Sequence, residues 1–458
     1  MKEREKFSSR LGFILISAGC AIGLGNIWRF PYITGKYGGA AFVIIYLIFL
    51  VILGLPIMVM EFSVGRASKQ SVATAFKTLE PKGTKWHWFG YIAIVGNYLL
   101  MMFYTTIGGW MVAYIFKMIT GQFTGLSPDG VSNIFSSMLQ QPWYMTFWML
   151  VVTVGGFFIC SFGLQNGVEK ITKGMMLCLL FLIIVLCVRS ITLPGASEGL
   201  KFYLIPDFSK FSENGIADTI FAAMGQAFFT LSIGMGSMTI FGSYIDKKRS
   251  LTGEAISISL LDTFVAILAG LIIFPACFAF GVHPGEGPSL VFVTLPNIFN
   301  QMPGGQFWGA LFFIFLSFAA LSTIIAVFEN IVSFSIDLWN VSRKKAVIVN
   351  AILIILLSLP CVFGFNLLSG IQPLGAGSTI QDLEDFIISN NVLPLGSLVF
   401  LLFCTIKRGW GWKNFLAEAD TGDGMKFPAW ARLYIKYCLP VIVLVIFIFG
   451  YYTKFFVS

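Results

Sequence analysis

Two long apolar runs of this sequence are interrupted by residues that could bind a small ion or a polar ligand. Residues 18–31 read AGCAIGLGNIWRFP, and residues 228–238 read FFTLSIGMGSM. Glycine destabilises a helix interior and unpaired backbone groups are costly in lipid, so such breaks are expected where they line a protein cavity. Helix N-termini there suit a carboxylate, and free carbonyl groups suit a small cation. Close helix packing through glycine is the alternative for either break alone.

Composition identifies the setting of these runs. The chain has 458 residues, of which 57% are hydrophobic and 11% are charged. Soluble proteins average about 25% charged residues, so the composition indicates a polytopic membrane protein. Runs of about 20 apolar residues recur along the whole chain. We predict one integral membrane domain with eleven spans, at residues 10–36, 40–64, 88–118, 143–162, 168–193, 217–244, 252–281, 305–338, 344–363, 380–406 and 434–452.

Positive charge is concentrated on one side of these spans. The loops that follow even-numbered spans are basic, as in EKITK, YIDKKRS and VSRKK, whereas residues 121–142 and 282–307 contain no lysine or arginine. By the positive-inside rule, the N-terminus is cytoplasmic and the C-terminal tail lies outside. The net charge of +8 then follows from topology, and we expect no nucleic-acid partner.

The remaining polar residues argue against an enzyme. His87 and His283 stand far apart, and the eight cysteines show no paired spacing. The two breaks lie five spans apart, as expected for related halves at residues 1–195 and 196–407, followed by a cytoplasmic loop and span 11 at 408–458. Paired breaks of this kind indicate the binding site of a transporter. A channel would instead need a continuous pore.

Several segments resemble the neurotransmitter:sodium symporter family, which has the fold of the bacterial leucine transporter. They include RLGFILISAGCAIGLGNIWRFPY, GGAAFVIIYLIFLVILGLPIMVMEFSVGR, GVEKITK, GQAFFTLSIGMG and ALSTIIAVFEN. The resemblance covers essentially the whole chain, and it is greatest to bacterial members with eleven spans that carry tyrosine and other hydrophobic amino acids. It implies an all-α membrane protein with a 5+5 inverted repeat and discontinuous spans 1 and 6.

The function that this resemblance implies is sodium-coupled symport of hydrophobic, in particular aromatic, amino acids such as tyrosine or tryptophan by alternating access. A free amino acid and the lipid bilayer would be the partners, without an obligate protein partner, in a bacterial cytoplasmic membrane. A membrane sensor of the same fold that binds without net transport is the alternative. Monoamine transport is disfavoured, because animal monoamine carriers usually have an aspartate where Gly23 stands.

The resemblance also implies two sodium sites. All their ligands are oxygen atoms, as a hard cation requires in a low-dielectric interior. The first site would use Ala21, Asn26, Thr230, Asp262 and the substrate carboxylate, and the second would use Gly19, Ile22, Ala319, Ser322 and Thr323.

Asp262 departs from the family pattern. The leucine transporter and the animal members have asparagine at the matching position, and the animal members hold a nearby chloride partly with a serine that matches Ala266. Because a carboxylate is already present beside the sodium, we predict transport that is independent of chloride. A simple hydrogen bond from Asp262 to a neighbouring helix is the alternative.

The implied substrate pocket lies between the two breaks. The substrate carboxylate would meet the backbone N–H groups of Gly23, Leu24 and Gly25, and carbonyl groups of span 6 would accept from the ammonium. Met235 replaces a phenylalanine of the leucine transporter, and its flexible side chain leaves room for a larger ring. Each aromatic residue taken alone is equally a core residue. The full set is Ala21, Gly23, Leu24, Gly25, Leu100, Tyr104, Phe229, Thr230, Ser232, Met235, Val327 and Phe328.

Gates are implied on both sides of this pocket. Arg29 would pair with Asp385 on the outside, and Arg4 would pair with Asp337 on the inside, with Tyr244 nearby. Snorkelling to the membrane surface is the alternative for Arg29. For Arg4, the alternative is a positive charge that only sets the membrane orientation.

Span 5 lacks a proline that many members have. The family places this proline ten residues after the glycine of GVE, where its kink lets the inner half unwind. Here Leu177 stands ten residues after Gly167. Gly174 could loosen the same turn, because glycine weakens a helix.

Overall fold

The computed structural model describes residues 5–209, 215–282 and 290–456, and helices dominate all three stretches. Within these residues, nine helices are long and apolar enough to cross a bilayer, and a bent helix pair forms a tenth span. The bent pair is Arg10–Ala21 and Gly25–Lys36 (span 1). The nine helices are Ala40–Ser68 (span 2), Trp88–Ile119 (span 3), Pro142–Ser161 (span 4), Leu164–Ile191 (span 5), Leu251–Ala279 (span 7), Gly305–Trp339 (span 8), Arg343–Phe363 (span 9), Ile380–Thr405 (span 10) and Ala429–Phe456 (span 11).

The two predicted breaks are the points at which the first and sixth spans lose helical structure. Span 1 bends by 56° between its halves. Span 6 is split into Ile216–Thr230 and Ser237–Tyr244, neither of which is long enough to cross a bilayer alone. Between them, Ser232, Gly234 and Gly236 have φ values of 51°, 99° and 80°. Glycine is the residue that adopts this left-handed region without strain, so the GMG sequence permits the break.

The central and peripheral spans differ in burial. The most apolar windows of spans 8 and 3 are 78% and 72% buried inside the protein, whereas that of span 11 is 28% buried. Spans 3 and 8 therefore form the interior scaffold against which the broken spans pack, and span 11 lies at the edge. The predicted all-α membrane architecture with discontinuous spans 1 and 6 is confirmed. The division at residues 195 and 407 remains a prediction.

Charged contacts connect the N-terminal end of span 1 to its neighbours. The Ser8 N–H and hydroxyl donate to Glu169 at 2.8 and 2.6 Å, which ties the chain before span 1 to the start of span 5. Arg10 forms an ion pair with Glu254 of span 7 at 2.9 Å. Both contacts fix the inner half of span 1 to its neighbours.

A second charged cluster fixes the loop between spans 10 and 11. Arg66, at the end of span 2, is fully buried, and its Nε lies 2.7 Å from Oε1 of Glu418 in the loop helix Trp412–Ala419. Its Nη1 donates to the Arg249 carbonyl at 2.7 Å. A buried arginine is stable only when its donors are satisfied, so this cluster requires the loop helix, span 2 and the span 6–7 connection together.

Glycine at position 65 permits the close approach of span 2 to the inner half of span 6. A Cβ added to Gly65 would lie 1.9 Å from the Thr239 carbonyl oxygen, which belongs to the rigid helix Ser237–Tyr244. We expect Gly65→Ala to separate these helices and to lower the thermal unfolding midpoint in detergent by about 3 °C or more, because overpacking costs about 1–3 kcal/mol.

The matched control is Gly155→Ala in span 4, where an added Cβ meets nothing within 4 Å. This variant should unfold at the wild-type temperature or slightly above it, because alanine favours a helix. Equal midpoints for the two variants, measured by a fluorescence melting assay, would contradict the close-packing explanation.

Candidate functional site

Five oxygen atoms converge where the broken part of span 1 meets the middle of span 8. The Ser322 hydroxyl lies 3.1 Å from the Gly19 carbonyl oxygen and 2.9 Å from that of Ala319. The Thr323 hydroxyl lies 3.1 Å from the Gly19, 3.3 Å from the Ile22 and 3.3 Å from the Ala319 carbonyl oxygens. These are the residues predicted for the second sodium site, and the structure brings all five together.

The chemistry of this cluster suits a small cation. Each hydroxyl has a single proton but faces two or three carbonyl oxygens, so oxygen lone pairs outnumber the protons available to them. Ser322 and Thr323 are buried, so water does not supply the missing hydrogen-bond donors. A hard cation with oxygen ligands balances such a set.

The side chains predicted for the first sodium site also lie together, around a buried carboxylate. Thr230 donates its hydroxyl to Asp262 Oδ2 at 3.0 Å, and Asn26 donates its Nδ2 to Asp262 Oδ1 at 2.9 Å and to Thr230 Oγ1 at 3.0 Å. Asn26, Thr230 and Asp262 are fully buried. Ala21 is the last residue of the helix before the break, and it is buried.

The Asn26 amide has the orientation opposite to that of a cation ligand. Its nitrogen faces Asp262, and its oxygen accepts from the Gly23 N–H at 3.3 Å. A cation at this site would take the amide oxygen after a half-turn of the amide group, which releases the Gly23 N–H for another acceptor. The same residue thus connects the ion site to the backbone of the break.

Two buried polar residues near the span 1 break and Asp262 were not predicted from the sequence. Gln226 donates its Nε2 to the Gly25 carbonyl at 2.9 Å, which holds the start of the outer half of span 1. The Gln226 Oε1 atom and the Tyr46 hydroxyl are buried without a hydrogen-bond partner among the described residues, and Tyr46 lies within electrostatic reach of Asp262. Ala266, one helical turn after Asp262, is fully buried and adds no hydroxyl.

Glu61 supports the second break. This carboxylate lies inside span 2, is fully buried, and accepts a short hydrogen bond from the Gly234 N–H in the broken part of span 6. The backbone donor that the break frees is thereby satisfied. The sequence signal was available, since Glu61 is the single acid in the apolar run GLPIMVMEFSVGR.

Glycine residues of the span 1 break lie close to side chains of spans 3, 6 and 8. A Cβ added to Gly23 would lie 2.2 Å from the Tyr104 hydroxyl and 2.7 Å from Thr323 Oγ1, and one added to Gly25 would lie 2.8 Å from the Phe229 ring. The Tyr104 hydroxyl accepts from the Leu24 N–H at 3.0 Å. The break therefore presents backbone N–H groups beside a phenol, as an incoming carboxylate requires.

Most of the predicted side-chain pocket is buried around the span 6 break. Ser232 donates to the Cys20 carbonyl at 3.3 Å, and the Met235 carbonyl accepts from Asn97 of span 3 at 3.1 Å. Leu100 and Val327 are buried in spans 3 and 8. Phe328 is not brought to this group, because its ring stacks on Phe157 of span 4 with the ring centroids 3.9 Å apart. The side chains of residues 327 and 328 diverge because neighbouring residues on a helix point about 100° apart.

Arg29, a predicted gate residue, lies over the ring of the predicted pocket residue Phe229. Its guanidinium lies 4.3 Å from the centroid of the Phe229 ring, a cation–π distance. Asp385 lies within electrostatic reach of Arg29 but accepts from Ser389 at 2.8 Å, and no salt bridge within 4.0 Å joins the two residues in this conformation. The predicted outer pair is therefore near but not in contact.

The predicted gate residue Tyr244 belongs to a buried polar network among the described residues. The Tyr244 hydroxyl donates to Glu329 Oε1 at 2.8 Å, and Arg343 forms a close ion pair with the same buried Glu329. Asp337 accepts from the Ser71 N–H at 2.7 Å. Arg4 lies outside the described residues, so its predicted contact with Asp337 remains a prediction.

Leu177 lies within the continuous helix Lys170–Ile191, and half of its surface is exposed on the outside of the protein. Span 5 begins instead with a wide π-helical turn at Leu164–Glu169. Gly174 has open space around it. Any local unwinding of this span therefore has no proline to initiate it.

Comparison with known proteins agrees with this geometry. The model of the sodium:neurotransmitter symporter family matches residues 4–127 and 130–455. The chain is 36% identical over 446 residues to YhdH, an uncharacterised sodium-dependent transporter of Bacillus subtilis, with 97% of each chain covered. It is 34% identical over 462 residues to an uncharacterised sodium-dependent transporter of Haemophilus influenzae, with 98% of each chain covered.

A solved structure and an animal relative extend this comparison. The crystal structure of MhsT in complex with L-phenylalanine has a TM-score of 0.86 and 39% identity, covering 98% of this chain and all of that chain. A sodium- and chloride-dependent taurine transporter from dog is 27% identical over 98% of this chain and 78% of its own length. Bundled helices with two broken spans, a family match along almost the full length and these relatives lead to one conclusion: the chain belongs to the sodium:neurotransmitter symporter family of sodium-dependent membrane transporters.

Proposed function

We propose that this transporter carries hydrophobic amino acids, with an aromatic side chain preferred, into the cell together with sodium ions at two sites, without a requirement for chloride. The observation that carries the proposal is the convergence of the span 1 break with oxygen atoms from spans 6, 7 and 8. Its N-terminus would be cytoplasmic, in a bacterial plasma membrane, and it would act without an obligate protein partner.

The amino acid backbone would bind between the two broken spans. Its carboxylate would meet the Leu24 N–H, the Tyr104 hydroxyl and the sodium ion beside Asn26. These groups already lie together, since Leu24 donates to Tyr104 at 3.0 Å. Binding replaces that internal hydrogen bond with bonds to the ligand, so little of the protein must reorganise.

Sodium and substrate would then depend on each other. The amide of Asn26 caps Gly23 in this conformation, at 3.3 Å. If a cation takes the amide oxygen, the Gly23 N–H becomes free for the carboxylate, and the carboxylate adds a ligand to the cation. Occupancy of one site thus favours occupancy of the other, which is the energetic basis of coupled transport.

The side-chain pocket supports an aromatic substrate. Phe229, Leu100 and Val327 supply apolar walls, and Met235 is an adaptable residue whose thioether also makes favourable contacts with rings. The MhsT structure, in which the ligand is L-phenylalanine, is consistent with this proposal.

The first test is uptake by purified protein in liposomes. We expect an inward sodium gradient to drive accumulation of labelled tyrosine, and excess unlabelled tryptophan or phenylalanine to reduce it at least about tenfold more effectively than glycine or taurine. Sodium-dependent binding without accumulation would favour the sensor alternative. Failure of all three aromatic amino acids and of leucine to compete would reject the proposed substrate class.

The second test concerns chloride. Replacement of chloride by gluconate should leave sodium-driven uptake within about twofold, because the Asp262 carboxylate supplies the negative charge beside the cation. In Asp262→Asn, uptake should fall at least about tenfold, and the double variant Asp262→Asn/Ala266→Ser should recover activity only with chloride present. The single variant Ala266→Ser serves as the matched control for packing. Chloride-dependent uptake by the wild type would contradict the assignment.

The third test concerns the outer gate. We expect Arg29→Ala to lose most sodium-driven uptake, about tenfold or more, because the guanidinium covers Phe229 and faces Asp385 across the pathway. Arg29→Lys keeps the charge but not the planar group, so it should retain an intermediate rate. Lys36→Ala, which removes an exposed cation from the same helix, is the control. Wild-type uptake by Arg29→Ala would show that the residue is no gate.

A further inference from the structure

An acid that the ion sites and the substrate pocket do not use is buried near the outer end of span 10. Glu384 belongs to the helix Ile380–Ile387, where the capping box between Thr379 and Asp382 sets the helix start. Asp382 is exposed and Asp385 is partly buried, but Glu384 points inward and is 3% exposed. The side chain is therefore held inside the protein by the same helix that carries the predicted gate residue Asp385.

The surroundings of Glu384 provide no charge to balance a carboxylate. Both carboxyl oxygens are buried without a hydrogen-bond partner, and no lysine or arginine of the described residues forms an ion pair with them. Span 9 contributes the buried thiol of Cys361 beside the carboxyl, and Thr106 of span 3 lies beside that thiol. The other charged groups on its own helix, Asp382 and Asp385, are acidic and disfavour a further negative charge.

An ionised carboxylate in this position would lose its hydration without compensation, which is far more costly than burial of a neutral carboxyl. A neutral carboxyl also has a proton to donate toward the thiol or hydroxyl. We propose that Glu384 is a proton-binding site, separate from the sodium sites, that holds a proton while the outer half of span 10 is packed against spans 3 and 9 and releases it when water reaches the carboxyl.

Proton binding at Glu384 would then bias the outer gate. Asp385 is the next residue on the same helix, so a movement that exposes Glu384 to water also moves Asp385 relative to Arg29. Low pH favours the packed arrangement, and high pH favours its opening. This link to transport rests on the proposed function, whereas proton binding itself does not.

The direct test is thermal unfolding of the full-length protein in detergent, without substrate, at about pH 5.5 and about pH 8.5. We expect the midpoint of the wild type to fall with rising pH by at least about 3 °C more than that of Glu384→Gln, which is a permanent neutral analogue. Glu198→Gln, the same change at an exposed acid on the helix Ala196–Leu204, should behave as the wild type. Equal pH dependence of Glu384→Gln and the wild type would overturn the proposal.

Two further measurements guard this conclusion. If Glu384→Gln does not fold, Glu384→Met offers an apolar side chain of similar volume, and it should show the same loss of pH dependence. As the pH rises from about 5.5 to about 8.5, sodium-dependent tyrosine binding by the wild type should weaken at least about fivefold. Binding by Glu384→Gln should weaken less than about twofold over the same range. Absence of tyrosine binding at both pH values would reject the proposed substrate but leave the thermal comparison decisive.

Discussion

The pairing of backbone groups freed by the two helix breaks is the constraint on which the rest of this protein depends. A spanning helix satisfies its own N–H and C=O groups, and a break inside a membrane leaves several of them without partners. Here the partners come from other spans. Gln226 donates to the Gly25 carbonyl, and Glu61 accepts from the Gly234 N–H. The hydroxyls of Ser322 and Thr323 donate to the Gly19 carbonyl. In the proposed function, a cation would pair with the carbonyl oxygens that no protein donor satisfies, and its binding would thus complete the pairing of the break.

The breaks themselves could be predicted from the sequence because their signal is local. Glycine clusters inside apolar runs are visible in a short window, and their spacing by five spans indicated which residues would meet. All five residues predicted for the second sodium site, including Ser322 and Thr323, do lie together in the structure, although sodium binding there remains a prediction. The length of the span 6 break depends on the left-handed conformation of Ser232. A serine rarely adopts this conformation, so the sequence does not predict it.

The polar residues that support the site could not be predicted, because their partners are distant in sequence. Gln226 and Tyr46 lie within apolar stretches of their helices, and only packing shows that Gln226 contacts the Gly25 carbonyl and that Tyr46 lies near Asp262. The inner network of Tyr244, Glu329 and Arg343 likewise joins three different segments. Phe328 shows that proximity in sequence does not ensure a shared position either. It follows the predicted pocket residue Val327 in the sequence, but its ring stacks on Phe157 of span 4.

The fixed carboxylate of Asp262 has an electrical consequence for the proposed cycle. A chloride ion that supplied the negative charge beside the sodium would cross the membrane with it. The chloride would then cancel the charge of one transported sodium ion. A carboxylate that belongs to the chain returns with the empty carrier, so the sodium charge is delivered inward uncompensated by a co-ion. Each uncompensated charge draws about 2.3 kcal/mol per 100 mV from the membrane potential. On the proposed cycle, a single oxygen-bearing side chain in span 7 would thereby let the voltage across the membrane, as well as the sodium gradient, drive accumulation of the substrate.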